Sequence, residues 1–413
     1  MSPSPCCVRL SFLRNRNHLN LKYRGLNDTR SKANAGTSAS PFLFSTSIPN
    51  ALRTAGFLLQ PSADPPSGWL ALSAFVGLPL VLWAYKCLML VLFQRKVIYM
   101  GYAPPGSRTE SLKDVYPKNT LKGIHVEELS IPSYEPDTVR LSTLLLRHER
   151  DLASPPHHVI VYFQGNAGNP LHRIPIFATL LNAIPFGSLA ILAPAPRSYW
   201  TSTRARPTQA GLIADYTAAL AFAANRFPKS RLTIYGHSLG ASIALCLLSN
   251  PGPGPGSPPI SIPATVHGLV LENAFTSVPD MLRALYPNRW LPYQYLGPFV
   301  RDRWDARTAA AAAVSASAAG ANVTTEHTHS WHLARRAMVL VSARDEVVPP
   351  VMGQEIFDEL RASVDGDGGG GSEEGLGRLV VLQGALHENA WRYRDWVRAM
   401  KEYLGDLERE PIR

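Results

Sequence analysis

Cysteine is scarce in this chain: four in 413 residues, at Cys6, Cys7, Cys87 and Cys246, too few and too scattered for a disulfide framework. Acid is short as well, with 31 Asp and Glu against 41 Lys and Arg and a net charge of +10. The shortage is local. Residues 1–60 hold eight Lys or Arg and a single acid, Asp28, and so carry +7 of the +10, leaving +3 for the rest. A nucleic-acid surface on the folded part therefore finds no support. Metal-ligand patterns are also missing. His327, His329 and His332 cluster as His-Thr-His-Ser-Trp-His, but no thiolate or carboxylate partner accompanies them, so a solvated loop is expected rather than a zinc site. No metal and no cofactor is expected.

Only one long apolar run is present. From Trp69 to Phe93 the sole charge is Lys86, and at about 1.5 Å per residue the run can cross a hydrocarbon core of roughly 30 Å. Trp69, Trp83 and Tyr85 suit the membrane interface, Lys86 is expected to snorkel, and Arg95 and Lys96 close the segment. The competing reading is a buried helix of the globular part, which would place Pro79 in a helix interior. A single transmembrane helix over 67–94 is expected, preceded by a basic, disordered leader over 1–66 and followed by one catalytic domain over 95–413. Basic residues flank both ends, and the sequons at Asn27 and Asn322 lie on opposite sides of the run, so orientation stays open.

Gly236-His237-Ser238-Leu239-Gly240 follows an apolar strand, Leu232 to Tyr235, and precedes an apolar helix, Ala241 to Leu248, which Asn250-Pro251 stops. A serine lifted onto a sharp turn between strand and helix leaves no room for side chains two positions before and after it. Ser238 is thus a candidate nucleophile. The helix that follows directs its free N–H groups toward a developing oxyanion, with Leu239 N–H as one donor. His237 is expected to pack rather than to transfer protons.

A serine hydroxyl needs a base, and the base needs an acid. Ala337 to Val341 reads as a strand that places Asp345 on the loop after it, with Glu346 as the competing carboxylate. Leu379 to Leu382 reads as the last strand, and His387 follows it. Both loops then fall at the C-terminal edge of a parallel sheet, where open α/β sheets build their sites. A second oxyanion donor is expected from Gln164-Gly165-Asn166-Ala167-Gly168-Asn169, the loop after the strand Val159 to Phe163, with Asn166 N–H as the donor. The fold class expected is α/β, an α/β-hydrolase with a mostly parallel central sheet, helices on both faces and a cap insertion at about 275–335.

Several further stretches carry a resemblance: Phe93-Gln94 through Ile98-Tyr99, Pro104 to Arg108, the Gly165 to Asn169 loop, Arg197-Ser198-Tyr199-Trp200 with Pro207 to Asp215, the Gly236 to Gly240 elbow, Glu272 to Ser277, Asp345 with Val348-Pro349-Pro350, and His387 with Asn389. Over residues 93 to about 400 the chain resembles the membrane-anchored α/β-hydrolases of the fungal bud-emergence type and their animal relatives. The resemblance implies a Ser238, Asp345, His387 triad, with relatives acting on lysophospholipids, acylglycerols or fatty-acylated proteins. Three departures stand out. Gln164 replaces the usual His, and Arg197-Ser198-Tyr199-Trp200 replaces a Gly-rich turn, which suggests a reshaped pocket wall. Pro251 to Pro259, Ala309 to Ala321 and Gly366 to Gly371 read as flexible insertions.

The cap region from Met281 to Phe299 is rich in large apolar groups, which either receive an acyl chain or pack on the sheet. The function expected is a membrane-tethered serine hydrolase of lipid-like acyl esters or thioesters. Alternatives are a non-catalytic membrane-bound scaffold and an acyltransferase using the same triad. Expected partners are an acylated lipid or acyl-protein substrate and the bilayer, with no nucleic acid. The expected location is a membrane of the endoplasmic reticulum or cell surface, with a mitochondrial membrane as the alternative. Nothing in the sequence bears on oligomeric state.

Overall fold

The computed structural model describes residues 67–117, 120–134, 138–184, 188–249, 262–315, 325–362 and 377–409. The leader over 1–66, both sequons, the Pro251 to Pro259 stretch and the Gly366 to Gly371 run lie outside the described residues.

The apolar run forms α1 (Gly68–Leu92), capped by the Ser67 side chain and continued by the short α2 (Gln94–Ile98). Pro79 lies inside α1, and none of the helix's residues is buried. An apolar helix that is nowhere fully buried suits lipid surroundings, by length and composition. Lys86 is exposed. Its ammonium lies over the Tyr293 and Tyr286 rings, 4.3 and 5.4 Å from their centroids. Those rings belong to the cap, so cation–π attraction ties this point of the helix to it.

After α3 (Leu112–Val115) come β1 (Ile124–Pro132) and β2 (Arg140–His148), then β3 (His158–Phe163), α4 (Ile174–Ala183), β4 (Leu189–Pro194), α5 (Gln209–Arg226), β5 (Arg231–His237), α6 (Leu239–Leu248) and β6 (Val266–Glu272). The cap follows as α7 (Val278–Leu285) and a 3-10 segment, Pro292–Phe299. The chain continues with α8 (Ala306–Ser315), α9 (Thr325–Arg335), β7 (Met338–Ser342), α10 (Pro350–Ala362), β8 (Arg378–Leu382) and α11 (Arg394–Arg409). The eight strands form one sheet in the order β1-β2-β4-β3-β5-β6-β7-β8, parallel from β4 to β8 with β1 and β2 antiparallel at one edge. β3 and β4 are buried along their whole length, which is why they read as continuous apolar runs.

Strand order reverses around β3. The chain moves outward from β3 to β4, then returns past β3 to β5 and onward to β8. Right-handed crossovers therefore send α4 to one face and α5, α6 and α10 to the other. The packing agrees: α11 contacts α4, whereas α5 meets α6, α6 meets α8 and α8 meets α10. The loops after β3 and β5 open side by side at the point where strand order reverses, where such sheets place ligands. This is the α/β-hydrolase architecture.

Two expectations are corrected. The alanine-rich stretch is not an insertion over its described part: Ala309, Ala310, Ala313 and Val314 are buried on α8 against α6 and α10. Small side chains there let helices approach closely. The histidine cluster lies on helix α9, not on a polar loop; His329 is half-buried and His332 exposed, beside the buried Leu333 and Ala334. In the cap, Tyr293 is buried, while Leu285, Trp290, Tyr295 and Phe299 are exposed rather than packed on the sheet.

Candidate active site

β5 ends at His237 and α6 begins at Leu239, so Ser238 is the single residue of the turn. Its backbone sits at φ 54° and ψ −118°, where an L residue is strained by an order of 1–3 kcal/mol. Its N–H donates to the Glu272 carbonyl of β6 at 2.8 Å, which ties the turn to the neighbouring strand. The flanking glycines answer to sterics. A Cβ on Gly240 would stand 2.0 Å from the Phe163 carbonyl oxygen, and one on Gly236 would stand 2.5 Å from Ala241 Cα. Either would push the turn off β3 or off its own helix.

Asp345 lies three residues beyond β7 and His387 five beyond β8. The structure brings them together: His387 Nδ1 is 2.7 Å from Asp345 Oδ2, and both side chains are buried. Asp345 Oδ1 accepts the Val347 and Val348 N–H groups, each at 2.8 Å. Three hydrogen bonds thus aim one carboxylate at one ring nitrogen. Glu346, the rival acid, instead accepts the His387 backbone N–H at 3.1 Å. Asp345 therefore fixes the imidazole, and Glu346 fixes the main chain that carries it. Among the described residues no hydrogen bond joins Ser238 to the His387 ring, and both residues are nearly closed from solvent. Unliganded sites often hold this contact long until a substrate arrives.

The His387 carbonyl is held twice more, by His237 Nε2 at 3.0 Å and by Asn273 Nδ2 at 3.0 Å. His237 therefore does more than pack: its Nε2–H donates to the His387 loop, its Nδ1 is buried without a partner, and burial lowers its pKa. Asn273 stands at φ 50° at the end of β6, and its Oδ1 accepts the Ser342 N–H at 2.8 Å. One amide side chain thus joins β6, β7 and the histidine loop. Sequence reading gave Asn273 no role. The available signal was an Asn directly after a strand, a residue type that tolerates positive φ. Glu388 pairs with Arg173 at the start of α4 and closes the same loop from the other side.

The 164–169 loop lies over Ser238, since a Cβ on Gly165 would meet His237 Nδ1 at 3.3 Å and Ser238 Cβ at 3.7 Å. Leu239, as the first residue of α6, has an N–H without an intrahelical acceptor. The Asn166 carbonyl accepts from Met100 N–H at 2.6 Å and from Tyr199 Oη–H at 2.8 Å. These bonds fix the peptide that follows Asn166. Gln164 is buried; its Nε2 donates to the Ala167 carbonyl at 3.1 Å, its N–H donates to the Tyr216 hydroxyl at 2.9 Å, and its Oε1 has no partner.

Arg197-Ser198-Tyr199-Trp200 is a buried clamp behind the loop. Arg197 forms a forked ion pair with Asp215 of α5 at 2.8 and 3.0 Å. Trp200 Nε1 donates to the Glu110 carbonyl at 2.8 Å, and Ser198 and Trp200 take positive φ. The bulk that suggested a pocket wall is thus buried and holds the 164–169 loop through Tyr199.

No family profile matches the chain. Protein bem46 of Schizosaccharomyces pombe is 28% identical over 197 residues, which are 47% of this chain and 58% of that protein. The α/β-hydrolase domain-containing protein WAV2 of Arabidopsis thaliana is 29% identical over 202 residues, 48% of this chain and 57% of its own length. The chain spans a little under three-fifths of the length of these relatives. An esterase of Pyrococcus furiosus superposes with a TM-score of 0.46 at 16% identity, covering 72% of this chain and 93% of its own, a likeness too loose to carry any argument. The sheet and the elbow geometry make this chain an α/β-hydrolase in fold, and over about half its length its sequence is similar to bem46 and WAV2.

Proposed function

We propose that the protein is a membrane-tethered serine hydrolase that cleaves acyl ester or thioester bonds of lipid-like substrates. The observation that carries this reading is the Asp345–His387 pair at 2.7 Å beside a serine held in a strained strand-to-helix turn. In the reaction, Ser238 Oγ attacks the acyl carbonyl while His387 Nε2 takes its proton. Asp345 holds Nδ1–H and offsets the imidazolium charge that forms. Leu239 and Asn166 N–H groups receive the oxyanion, the interaction that supplies the largest share of such rate enhancements. Collapse then expels the alcohol or thiol with the proton from His387. Water, activated by the same ring, releases the acid and restores Ser238.

The lipid-like substrate is supported by the cap. An apolar cleft runs between its Val278, Leu282, Leu296 and Phe299 and the Leu90 to Ile98 end of the membrane helix. Gln94 binds the cap at both ends of its amide, donating to the Phe299 carbonyl at 3.1 Å and accepting from Arg301 N–H at 2.7 Å. Turnover of p-nitrophenyl acyl esters by the full chain tests the reading. Activity that rises with acyl length and disappears in Ser238→Ala is expected; turnover unchanged in Ser238→Ala, or none in wild type, contradicts it.

A further inference from the structure

A second cavity, of about 760 Å3, opens where α1 ends, and its lining is amphiphilic. Leu92 and Phe93, where α1 ends, line it together with Arg95, Lys96, Arg108 and Arg206, and the Lys96 ammonium lies 5.2 Å from the Phe93 ring centroid. Arg95 is already matched by Asp302 at 2.6 Å. Among the described residues no carboxylate pairs with Lys96, Arg108 or Arg206, and none lines the cavity.

Three cations facing one space repel one another unless an anion joins them. Arg204 adds a fourth close by, reaching the Arg108 carbonyl at 3.4 Å. Burial and that neighbour both lower the Arg108 pKa, the direction expected of a guanidinium lacking its counter-charge. Arg108 is nevertheless held in place, with Nε donating to the Ser198 carbonyl at 3.0 Å and its plane near the Tyr102 ring at 5.7 Å. The terminal guanidinium nitrogens that this bond does not use suit a forked contact with phosphate oxygens.

Location selects the anion. With α1 spanning the bilayer, Leu92 and Phe93 mark the hydrocarbon boundary, so the cations stand at headgroup depth, where basic clusters take up acidic lipids. We propose that this cavity binds the headgroup phosphate of an anionic phospholipid, with Arg108, Arg206 and Lys96 on the phosphate and Leu92 and Phe93 against the upper acyl chain. The inference rests on α1 as a membrane span but not on catalysis.

The test therefore uses full-length Ser238→Ala protein in a non-ionic detergent, with its Tm read against dioctanoyl phosphatidylserine, dioctanoyl phosphatidylcholine and inorganic phosphate. Phosphatidylserine is expected to raise Tm by roughly 5 °C, with neither of the other two doing so. Lys96→Gln with Arg206→Gln, both exposed positions, is expected to abolish the shift while leaving the unliganded Tm in place. An equal shift with inorganic phosphate overturns the proposal in favour of a free-anion site. So does an equal shift with phosphatidylcholine, no shift at all, or a shift that survives the double substitution. Alkaline-carbonate extraction of the same protein from membranes checks α1 separately: release into the soluble fraction removes the membrane span, and the lipid proposal with it.

Discussion

On the side of the active site formed by β5, β7 and β8, each reacting group lies within five residues of a strand end, and backbone bonds from adjacent strands hold its loop. The opposite side is assembled differently. There the 164–169 loop is fixed by Tyr199, by Met100 just beyond α2, and by the Arg197–Asp215 pair behind them. The first side inherits its geometry from sheet register. The second depends on side chains meeting across long stretches of sequence.

The comparison breaks most visibly at Asp345. Asp345→Asn should lower kcat by about 10⁴-fold, as loss of a triad acid does elsewhere, with circular dichroism and Tm little changed; Glu346→Gln, which weakens only a backbone contact, should cost no more than a few-fold in the same assay. If the two variants lose activity equally, the division of labour between the carboxylates fails.

On the other side, Asp215→Ala strands a buried guanidinium and should destabilise by about 3–5 kcal/mol, read as a lowered urea midpoint. A stability loss below about 1 kcal/mol would mean that the clamp is not structural. Tyr199→Phe is the finer instrument. It removes one of two donors to the Asn166 carbonyl, so kcat should fall roughly three- to tenfold with KM nearly constant, for a bond worth about 1 kcal/mol. A change in KM alone would make Tyr199 a substrate contact instead.

The smallest effect is on pH dependence. Burial lowers the pKa of both His237 and His158, the latter against the opposing pull of Glu408. Unfolded imidazoles titrate near ~6.5, so below that pH the unfolded chain binds protons that the folded one refuses. Stability is therefore complete above about pH 6.5 and declines as pH falls toward the lowered folded values. Chemical-denaturation midpoints from pH 7.5 to 5 should drop accordingly, and His237→Asn should flatten the slope. A slope that is unchanged in the variant would place the acid sensitivity elsewhere.

What the sequence made legible follows the same division. The elbow could be read because its glycines answer to contacts that the strand-turn-helix itself creates, and Asp345 and His387 could be read because each follows a buried strand. Arg197 to Trp200 was misread as a pocket wall because its partners, Asp215, Glu110 and Asn166, are 18 to 90 residues away. Alanine at 309, 310 and 313 looked like low complexity, yet in space it is the small-residue face of a packed helix. Nothing local to α1 announces the two cap tyrosines that the Lys86 ammonium meets.

The central claim is that His387 draws the proton from Ser238 although no hydrogen bond joins them at rest. Fluorophosphonate labelling, followed by peptide mass spectrometry in wild type and His387→Ala, tests it most directly. A single adduct on Ser238 is expected, formed at least 10³-fold more slowly in the variant. An adduct on another residue, or equal rates in the two proteins, would contradict it.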